Sequence, residues 1–503
     1  MESMLKRALN ARVNEVLPAP TALDPAPGLT ARLGVAVLLK REDLTPIFSF
    51  KLRGAYNRIA GLDPRARAAG VIAASAGNHA QGVGFAAARL GIRGRIVMPR
   101  TTPAIKIDAV RRYGVAIELV GDDYTEAAAH CAALAAETGM TLIPPYDDLD
   151  VIAGQATIGL EILRQAPRDL AAIFLPVGGG GLAAGVATVV KELRPAVRIV
   201  GVQPDDSDAM RRSLAAGERV TLTHVGFFAD GVAVRQVGEH TFPLCQRYLD
   251  DCVTVGVDEL CAAIKDAFEE TRAVLEPAGA LAIAGLKRAA EVGALPRGPA
   301  VAIASGANMG FTRLRYVAER AEVGEHREAI LAVTIPEVPG AFLEFCRVLG
   351  ERAVTEFNYR LAARDEAHVF VGLEVSGRME AAAIAQALAE RGYACVDLTE
   401  DDLAKTHVRH MVGGRARAVV DEALFTFEFP ERPGALLQFL ATLGARWNIS
   451  LFHYRNHGAA FGRVLCGFEV PAAERPELLA RFAALGFEHV DETENPAARL
   501  FLR

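Results

Sequence analysis

Four short stretches carry residue types able to do chemistry. "FSFKLRGAYNR", Phe48 to Arg58, puts one lysine, Lys51, behind two aromatics and a serine. An apolar setting lowers a lysine pKa, because burial penalises the ammonium form. The resulting amine can form a Schiff base with an aldehyde. The same local sequence also suits a surface lysine near a helix start. "SAGNHAQG", Ser75 to Gly82, is small and polar. Placed between a strand and a helix, its N–H groups would face an anion over the helix N-terminus, and a substrate carboxylate suits that place. Asn78 offers both donor and acceptor atoms for a phenolic oxygen. His79 is either a base or a packed structural residue. "LPVGGGGLAAG" holds Gly178, Gly179, Gly180 and Gly181 ahead of Leu182. Successive glycine N–H groups form an anion cradle, with a phosphate as the natural guest. The run also loosely satisfies GxGxxG, and Asp205 lies near the end of the next strand, so a dinucleotide fold is a rival reading. "GVGFAA" at Gly82 mimics that fingerprint without a strand directly before it, and neither candidate sits near the chain start. In "ASGANMG", Ser305 is either a turn serine or a partner for a ring nitrogen.

These residues need elements to position them. "GVIAAS" at Gly70, "GRIVMP" at Gly94, "VAIELV" at Val115, "AIFLPV" at Ala172, "RIVGVQP" at Arg198 and "AVAIASG" read as buried strands. Alanine-rich stretches such as "AQGVGFAAARLG" and "TEAAAHCAALAAETG" read as helices between them. That alternation predicts an α/β class, with helices covering mostly parallel sheets. The three candidate loops then fall where strands end and helices begin.

The 503 residues exceed one core, and about half of them, 51%, are hydrophobic, so two to four domains are expected. A net charge of -6 without a basic block argues against a nucleic-acid partner. No apolar run is long enough to span a bilayer. "MESMLKRALNARV" reads as a short amphipathic helix rather than a signal peptide. Seven dispersed cysteines without a CxxC pair fit a reduced cytoplasm better than a disulfide framework or a zinc site.

Near Ala321 the pattern changes. "AEVGEHRE", 321–328, reads as a linker, and an internal repeat follows. "PEVPGAFLEFCRVLG" at Pro336 matches "PERPGALLQFLATLG" at Pro430. "EFNYR", Glu356 to Arg360, answers "LFHYR", Leu451 to Arg455. "VFVGLEV" answers "VLCGFEV", and "RGYACVDLTED" answers "LGFEHVDETEN". Each copy reads strand, helix, strand, strand, helix, a small α+β unit that packs on its twin. The expected domains are 1–320, two copies at 329–400 and 423–494, a connector at 401–422 and a tail at 495–503.

Taken in order, "SFKLRGA", "SAGNHAQG", "VGGGGLAAG" and "SGANM" resemble the biosynthetic threonine dehydratases, of the tryptophan-synthase-β-like class of pyridoxal-phosphate enzymes. The duplicated part, with "TEFNYR", "HVRHMVGGR" and "NISLFHYR", resembles their paired ACT-like regulatory domains. The resemblance covers nearly the whole chain. It implies a two-lobed fold type II catalytic domain whose cofactor is pyridoxal 5'-phosphate, held through a Schiff base to Lys51. By the same resemblance Asn78 would bond the ring hydroxyl, and Gly178 to Leu182 would line the phosphate. Ser305 would face the pyridine nitrogen. Ser75, Ala76, Gly77, Asn78 and His79 would clamp the substrate carboxylate. Gly84 departs from relatives, where alanine is common, and only a packing effect is expected of it. The implied reaction is deamination of L-threonine to 2-oxobutanoate and ammonia, opening isoleucine biosynthesis. L-serine remains a possible substrate; the alternatives are a serine-preferring dehydratase or racemase of the same fold or, in another class, an amino-acid-sensing protein with an inactive pyridoxal-phosphate-like domain. Isoleucine as inhibitor and valine as antagonist, a homotetramer and a cytoplasmic location are implied too. Tyr359 and Tyr454, equivalent in the two copies, are the candidate effector residues; the rival reading has both packing the interface between the copies.

Overall fold

Glycine-bounded apolar runs become parallel strands in the computed structural model. It describes residues 3–226, 228–350, 352–361, 365–411, 416, 419–430, 435–444, 446–455, 461–496, 498 and 502. The chain divides into two units, Met1–Ala321 and Glu322–Arg503.

The first unit contains β1 (Leu23–Pro25), β2 (Val37–Arg41), β3 (Val71–Ala74), β4 (Gly94–Met98), β5 (Ala116–Leu119), β6 (Thr141–Leu142), β7 (Ala172–Pro176), β8 (Arg198–Pro204), β9 (Asp251–Val255) and β10 (Ala300–Ala304). One sheet runs β1-β2-β10-β7-β8-β9 and the other β5-β4-β3-β6. Only the β1–β2 pair is antiparallel. The six apolar runs are β3, β4, β5, β7, β8 and β10. One of them differs from expectation. β5 is a sheet edge rather than a buried strand, and Leu119 keeps 41% of its surface. Strand β2 was not legible as an apolar run, because it ends in Lys40 and Arg41. Both are nevertheless buried, since carboxylates meet them.

That burial belongs to an ion cluster under the helix Lys51–Ala60. Leu52, Ala55, Tyr56 and Ile59 put its apolar face into the core. Arg53, on another face, is fully buried as well. Its Nε donates to Glu42 at 2.7 Å and its Nη1 to Glu161 at 2.6 Å. Lys40 Nζ donates to the same Glu161 at 2.6 Å. The neighbouring helix Leu149–Gln165 touches backbone to backbone: a Cβ at Gly154 would stand 2.6 Å from Arg53 O, and one at Gly54 2.7 Å from Val151 O. The two glycines let the helices close on the cluster.

The second unit contains β11 (Glu328–Pro336), β12 (Val354–Arg360), β13 (Glu366–Glu374), β14 (Ala394–Asp397), β15 (Glu422–Pro430), β16 (Asn448–Arg455), β17 (Phe461–Glu469) and β18 (His489–Asp491). They form one antiparallel sheet, β14-β11-β13-β12-β16-β17-β15-β18. At its centre Tyr359 pairs with Phe452 and Phe357 with Tyr454, about a pseudo-two-fold axis at Asn358 and His453. Each copy gains a short last strand, β14 or β18, that the repeat comparison did not show.

The polar segment 321–328 is not a free linker. The helix Arg313–Gly324 runs into it and β11 begins at Glu328, leaving 325–327 between them. Its charged residues hid buried Ala321 and Val323. The connector and tail are likewise part of the fold. Ala404 is buried with Ile330 and Phe370 on the sheet face away from the repeat helices, and Ala498 with Leu424 and Leu451. The two alanines stand 94 residues apart, as Pro336 and Pro430 do (498 − 404 = 430 − 336).

Arg53→Met would leave Glu42 without its buried guanidinium. We expect the first unit to lose about 3–5 kcal/mol of unfolding free energy, read as an earlier urea transition.

Candidate active site

The lysine segment is pinned where β10 ends. Ser49 bridges Gly306, Phe50 N donates to Ser305 O at 3.1 Å, and Ala307 N donates to Phe48 O at 2.9 Å. The turn into the helix forces Phe48 to a left-handed φ of 56°. A non-glycine residue there costs on the order of 1 kcal/mol, which the surrounding bonds must hold. Lys51 opens the helix Lys51–Ala60, and its Nζ donates to Pro145 O at 2.7 Å. Burial pushes the amine down to about 8, while the Glu276 carboxylate pulls it partly back.

The Pro145-Tyr146 pair links this amine to the glycine loop. A Cβ at Gly179 would stand 2.4 Å from the Tyr146 ring, and one at Gly181 3.1 Å from Tyr146 Cα. Gly180 has φ 100°, open only to glycine at little cost. The loop leads from β7 into the helix Gly181–Leu193, whose first turn, including Leu182, carries no acidic residue. Its free N–H groups and dipole form an anion site.

Ser75 to Gly77 connect β3 to the helix Asn78–Leu90. Gly77 N donates to Ser75 Oγ at 3.2 Å. A Cβ at Gly77 would meet nothing within 4 Å, so the loop faces open space there. Ala76 lies between them, partly buried. Asn78 Nδ2 donates to Glu276 Oε1 at 2.5 Å, and Asn308 Nδ2 donates to Asn78 Oδ1 at 2.7 Å. His79 is spent elsewhere. Its Nε2 donates to Ile143 O at 2.8 Å, and burial, with the Lys51 charge, holds the ring down to about 3. The imidazole is therefore neutral and structural, and only its backbone N–H faces the loop's task. Ser305, nearly fully buried, donates from Oγ to Ala278 O at 3.3 Å. A Cβ on Gly84 would lie 3.2 Å from the Tyr113 ring, a packing matter away from these loops.

Lys51, Asn78, Ser305 and the glycine loop thus converge at the carboxyl ends of parallel strands, the usual ligand position in such sheets. Sequence reasoning missed Glu276. "LEPAG" reads as a helix start, with glutamate ahead of a first-turn proline, and nothing local announces an active-site carboxylate. Burial and Asp230 raise it to about 7. Pro145 and Tyr146 were missed too. Among the described residues no His, Cys, Asp and Glu group forms a metal cluster.

Tyr359 and Tyr454 lie in the second unit, both in its apolar core. Their surroundings differ. Tyr359 lines a cleft with Glu337, Phe342, Leu440, Leu443 and Trp447. Its hydroxyl donates to Glu337 Oε2 at 2.6 Å, and Asn448 Nδ2 donates to Glu337 Oε1 at 2.8 Å. Among the described residues the pseudo-symmetric cleft is lined by Cys346, Leu349, Arg352, Val354, Leu436 and Leu437. The facing loop of that copy, 431–434, lies outside the described residues.

A family model described as pyridoxal-phosphate dependent enzyme matches residues 15–306. Another, the C-terminal regulatory domain of threonine dehydratase, matches 319–408 and again 413–502. The chain is 56% identical over 501 residues to the L-threonine dehydratase biosynthetic IlvA of Burkholderia multivorans, covering 99% of both chains. It is 52% identical over 500 residues to that of Escherichia coli, covering 99% of this chain and 96% of the relative. The solved structure of the processed form of threonine deaminase isoform 2 from Solanum lycopersicum is 49% identical, with a TM-score of 0.61. It covers 63% of this chain and 92% of that one.

Gly179→Asp would push a side chain against Tyr146 and seat a carboxylate in the anion site. Purified variant should retain no pyridoxal phosphate, assayed after alkaline denaturation. Full retention would mean that the loop does not hold the phosphate.

Proposed function

This chain belongs to the biosynthetic threonine dehydratase family of pyridoxal-phosphate-dependent enzymes, and we propose that it deaminates L-threonine to 2-oxobutanoate and ammonia as the first step of isoleucine biosynthesis. The observation that carries the reading is the partly buried Lys51 amine, set beside Asn78 and Ser305 and across Pro145-Tyr146 from a helix N-terminus.

The donor set fits the cofactor. The loop Gly178–Gly181 with the first turn of the helix Gly181–Leu193 offers N–H groups to a phosphate and no competing acid. Lys51, held down to about 8, has a larger neutral fraction near neutral pH than a free lysine and can anchor an aldehyde. Asn78 Nδ2 carries two hydrogens, of which Glu276 takes one, leaving one for a ring oxygen. Ser305 Oγ, a neutral hydroxyl, is the partner for a ring nitrogen once its one hydrogen turns from Ala278 O, 3.3 Å away, to that nitrogen, and it does not hold a proton there as a carboxylate would.

Bound pyridoxal phosphate supplies an electron sink for charge at the substrate α-carbon. The residues of this chain do the rest. The N–H groups of Ser75 to His79, at the start of the helix Asn78–Leu90, hold the substrate carboxylate. Lys51 in its neutral form takes the α-proton, and the lowered pKa makes that form more accessible than for a free lysine. The weak partner at Ser305 favours loss of the β-hydroxyl over transamination.

The second unit supports regulation. We assign isoleucine, as inhibitor, to the cleft of Tyr359. Glu337 and Asn448 match an amino acid's polar end, and Phe342, Leu440 and Leu443 match a branched side chain. Valine would compete as antagonist. A homotetramer and a cytoplasmic location complete the proposal.

Lys51→Ala should retain its fold and lose threonine turnover by roughly 10²–10⁴-fold, followed as 2-oxobutanoate. Near wild-type turnover would remove Lys51 from the mechanism. L-serine in the same assay distinguishes a serine-preferring enzyme. Tyr359→Ala should raise the isoleucine concentration for half inhibition several-fold, consistent with a coupling of about 1–3 kcal/mol. Tyr454→Ala should move it less. Overlaid inhibition curves would put the effector site elsewhere.

A further inference from the structure

We infer that Glu276 is a positioning residue of the active site, fixing the amide of Asn78 in one orientation and presenting the negative charge that faces the Lys51 amine. The inference rests on reading Lys51 and Asn78 as cofactor residues.

A chain of hydrogen bonds with one fixed end sets the orientation of Asn78. Ile47 O can only accept, so Asn308 turns its Nδ2 toward it, at 2.8 Å. The same Nδ2 donates to Asn78 Oδ1 at 2.7 Å. Asn78 must then turn Nδ2 the other way, and Glu276 Oε1 receives it at 2.5 Å. A carboxylate is the acceptor this polarity requires. Without it, Asn78 could flip or drift, and its second N–H would lose its aim.

The carboxylate is built into the site. Glu276 precedes the helix Pro277–Glu291, its N–H donates to Gly306 O at 3.1 Å, and it is 6% exposed. A Cβ at Gly306 would stand 2.4 Å from Glu276 Oε1, so only glycine at 306 admits the carboxylate beside the Ser305 loop. The charged groups facing it are Lys51, Asp230, Lys106 and Arg313. Lys106 and Arg313 both pair with Asp230. Among the described residues Lys51 forms no ion pair; its amine donates to the neutral Pro145 carbonyl. The Glu276 charge is thus the field the amine feels. Glu276, raised to about 7, and Lys51, lowered to about 8, lie close together on the pH scale. Removing the carboxylate charge must lower the lysine further.

The test uses the full-length chain and Glu276→Gln. The first readout is the pH dependence of Lys51 acylation in cofactor-stripped protein, mapped by peptide mass. Wild type should show a midpoint of about 8, and Glu276→Gln a midpoint lower by roughly half a pH unit or more. The second readout is pyridoxal phosphate retained through gel filtration, which should fall several-fold, because glutamine can turn its NH₂ toward Asn78. If Glu276→Gln is insoluble, Glu276→Asp carries the test. It keeps the charge and withdraws the oxygens, so the midpoint should stay while retention falls. A Glu276→Gln chain that matches wild type in either readout overturns the inference, as does Glu276→Asp with full retention. A wild-type chain that binds no pyridoxal phosphate overturns the cofactor reading itself, and this inference with it.

Discussion

Everything at the active site depends on burying Arg53. It stands two residues after Lys51, on the same helix, and is among the largest fully buried side chains of the chain. A buried guanidinium is tolerable only with carboxylates placed on it, and Glu42 and Glu161 supply them from two other parts of the fold. Such a cluster contributes little net stability, since desolvation offsets most of the attraction. What it fixes is geometry. An ion in a low-dielectric interior has one good position, so the first turn of the helix Lys51–Ala60 has one position too. The amine of Lys51 inherits that position. Gly54 and Gly154 extend the constraint, because any side chain there would part the helices that close over the cluster.

The second consequence concerns how the loops meet. Each candidate loop follows the carboxyl end of a parallel strand: 75–78 after β3, 178–181 after β7 and 305–309 after β10. Strands carry no catalytic side chains here; they set the loops side by side. The amine, the anion site and the amide then sit around one space, with Tyr146 between the amine and the glycines. Burial acts on all of them. It lowers Lys51, raises Glu276 and silences His79. One physical effect thus produces a lowered amine, a carboxylate that titrates near neutrality and a structural imidazole, and only the local partners decide which.

This also explains what could be read beforehand. Lys51, Asn78, the glycines and Ser305 stand out because glycine and small polar residues interrupt apolar runs where strands end. The strands themselves were legible wherever burial was purely apolar. Strand β2 was not, because Lys40 and Arg41 look like surface residues until Glu161 and Asp43 are seen on them. Glu276 escaped for the same reason: its role exists only once Asn78, distant in sequence, arrives beside it. The charged stretch at 321–328 misled in the opposite direction, its polar residues masking buried Ala321 and Val323. Residues that act through long-range partners leave no local pattern.

The duplication shows the same principle within one unit. Residues that fill the core recur in both copies: Phe357 and Phe452, Leu349 and Leu443, Tyr359 and Tyr454. The polar residues at the clefts recur only in part: Glu337 has its counterpart in Glu431, but others are not kept. The sheet register sets Val354 opposite Leu373 and Ile449 opposite the equivalent Phe468, so Ala353 stands where Asn448 does. Likewise Arg352 stands where the other copy carries Trp447. Two copies of one fold need the same packing residues, because both must bury the same sheet. Neither copy needs the other's cleft residues. Core selection keeps the pseudo-two-fold, while each cleft is free to diverge, and a copy that loses its amide loses a ligand's polar anchor without losing stability. Two geometrically related clefts with unequal chemistry are therefore the stable outcome of such a duplication.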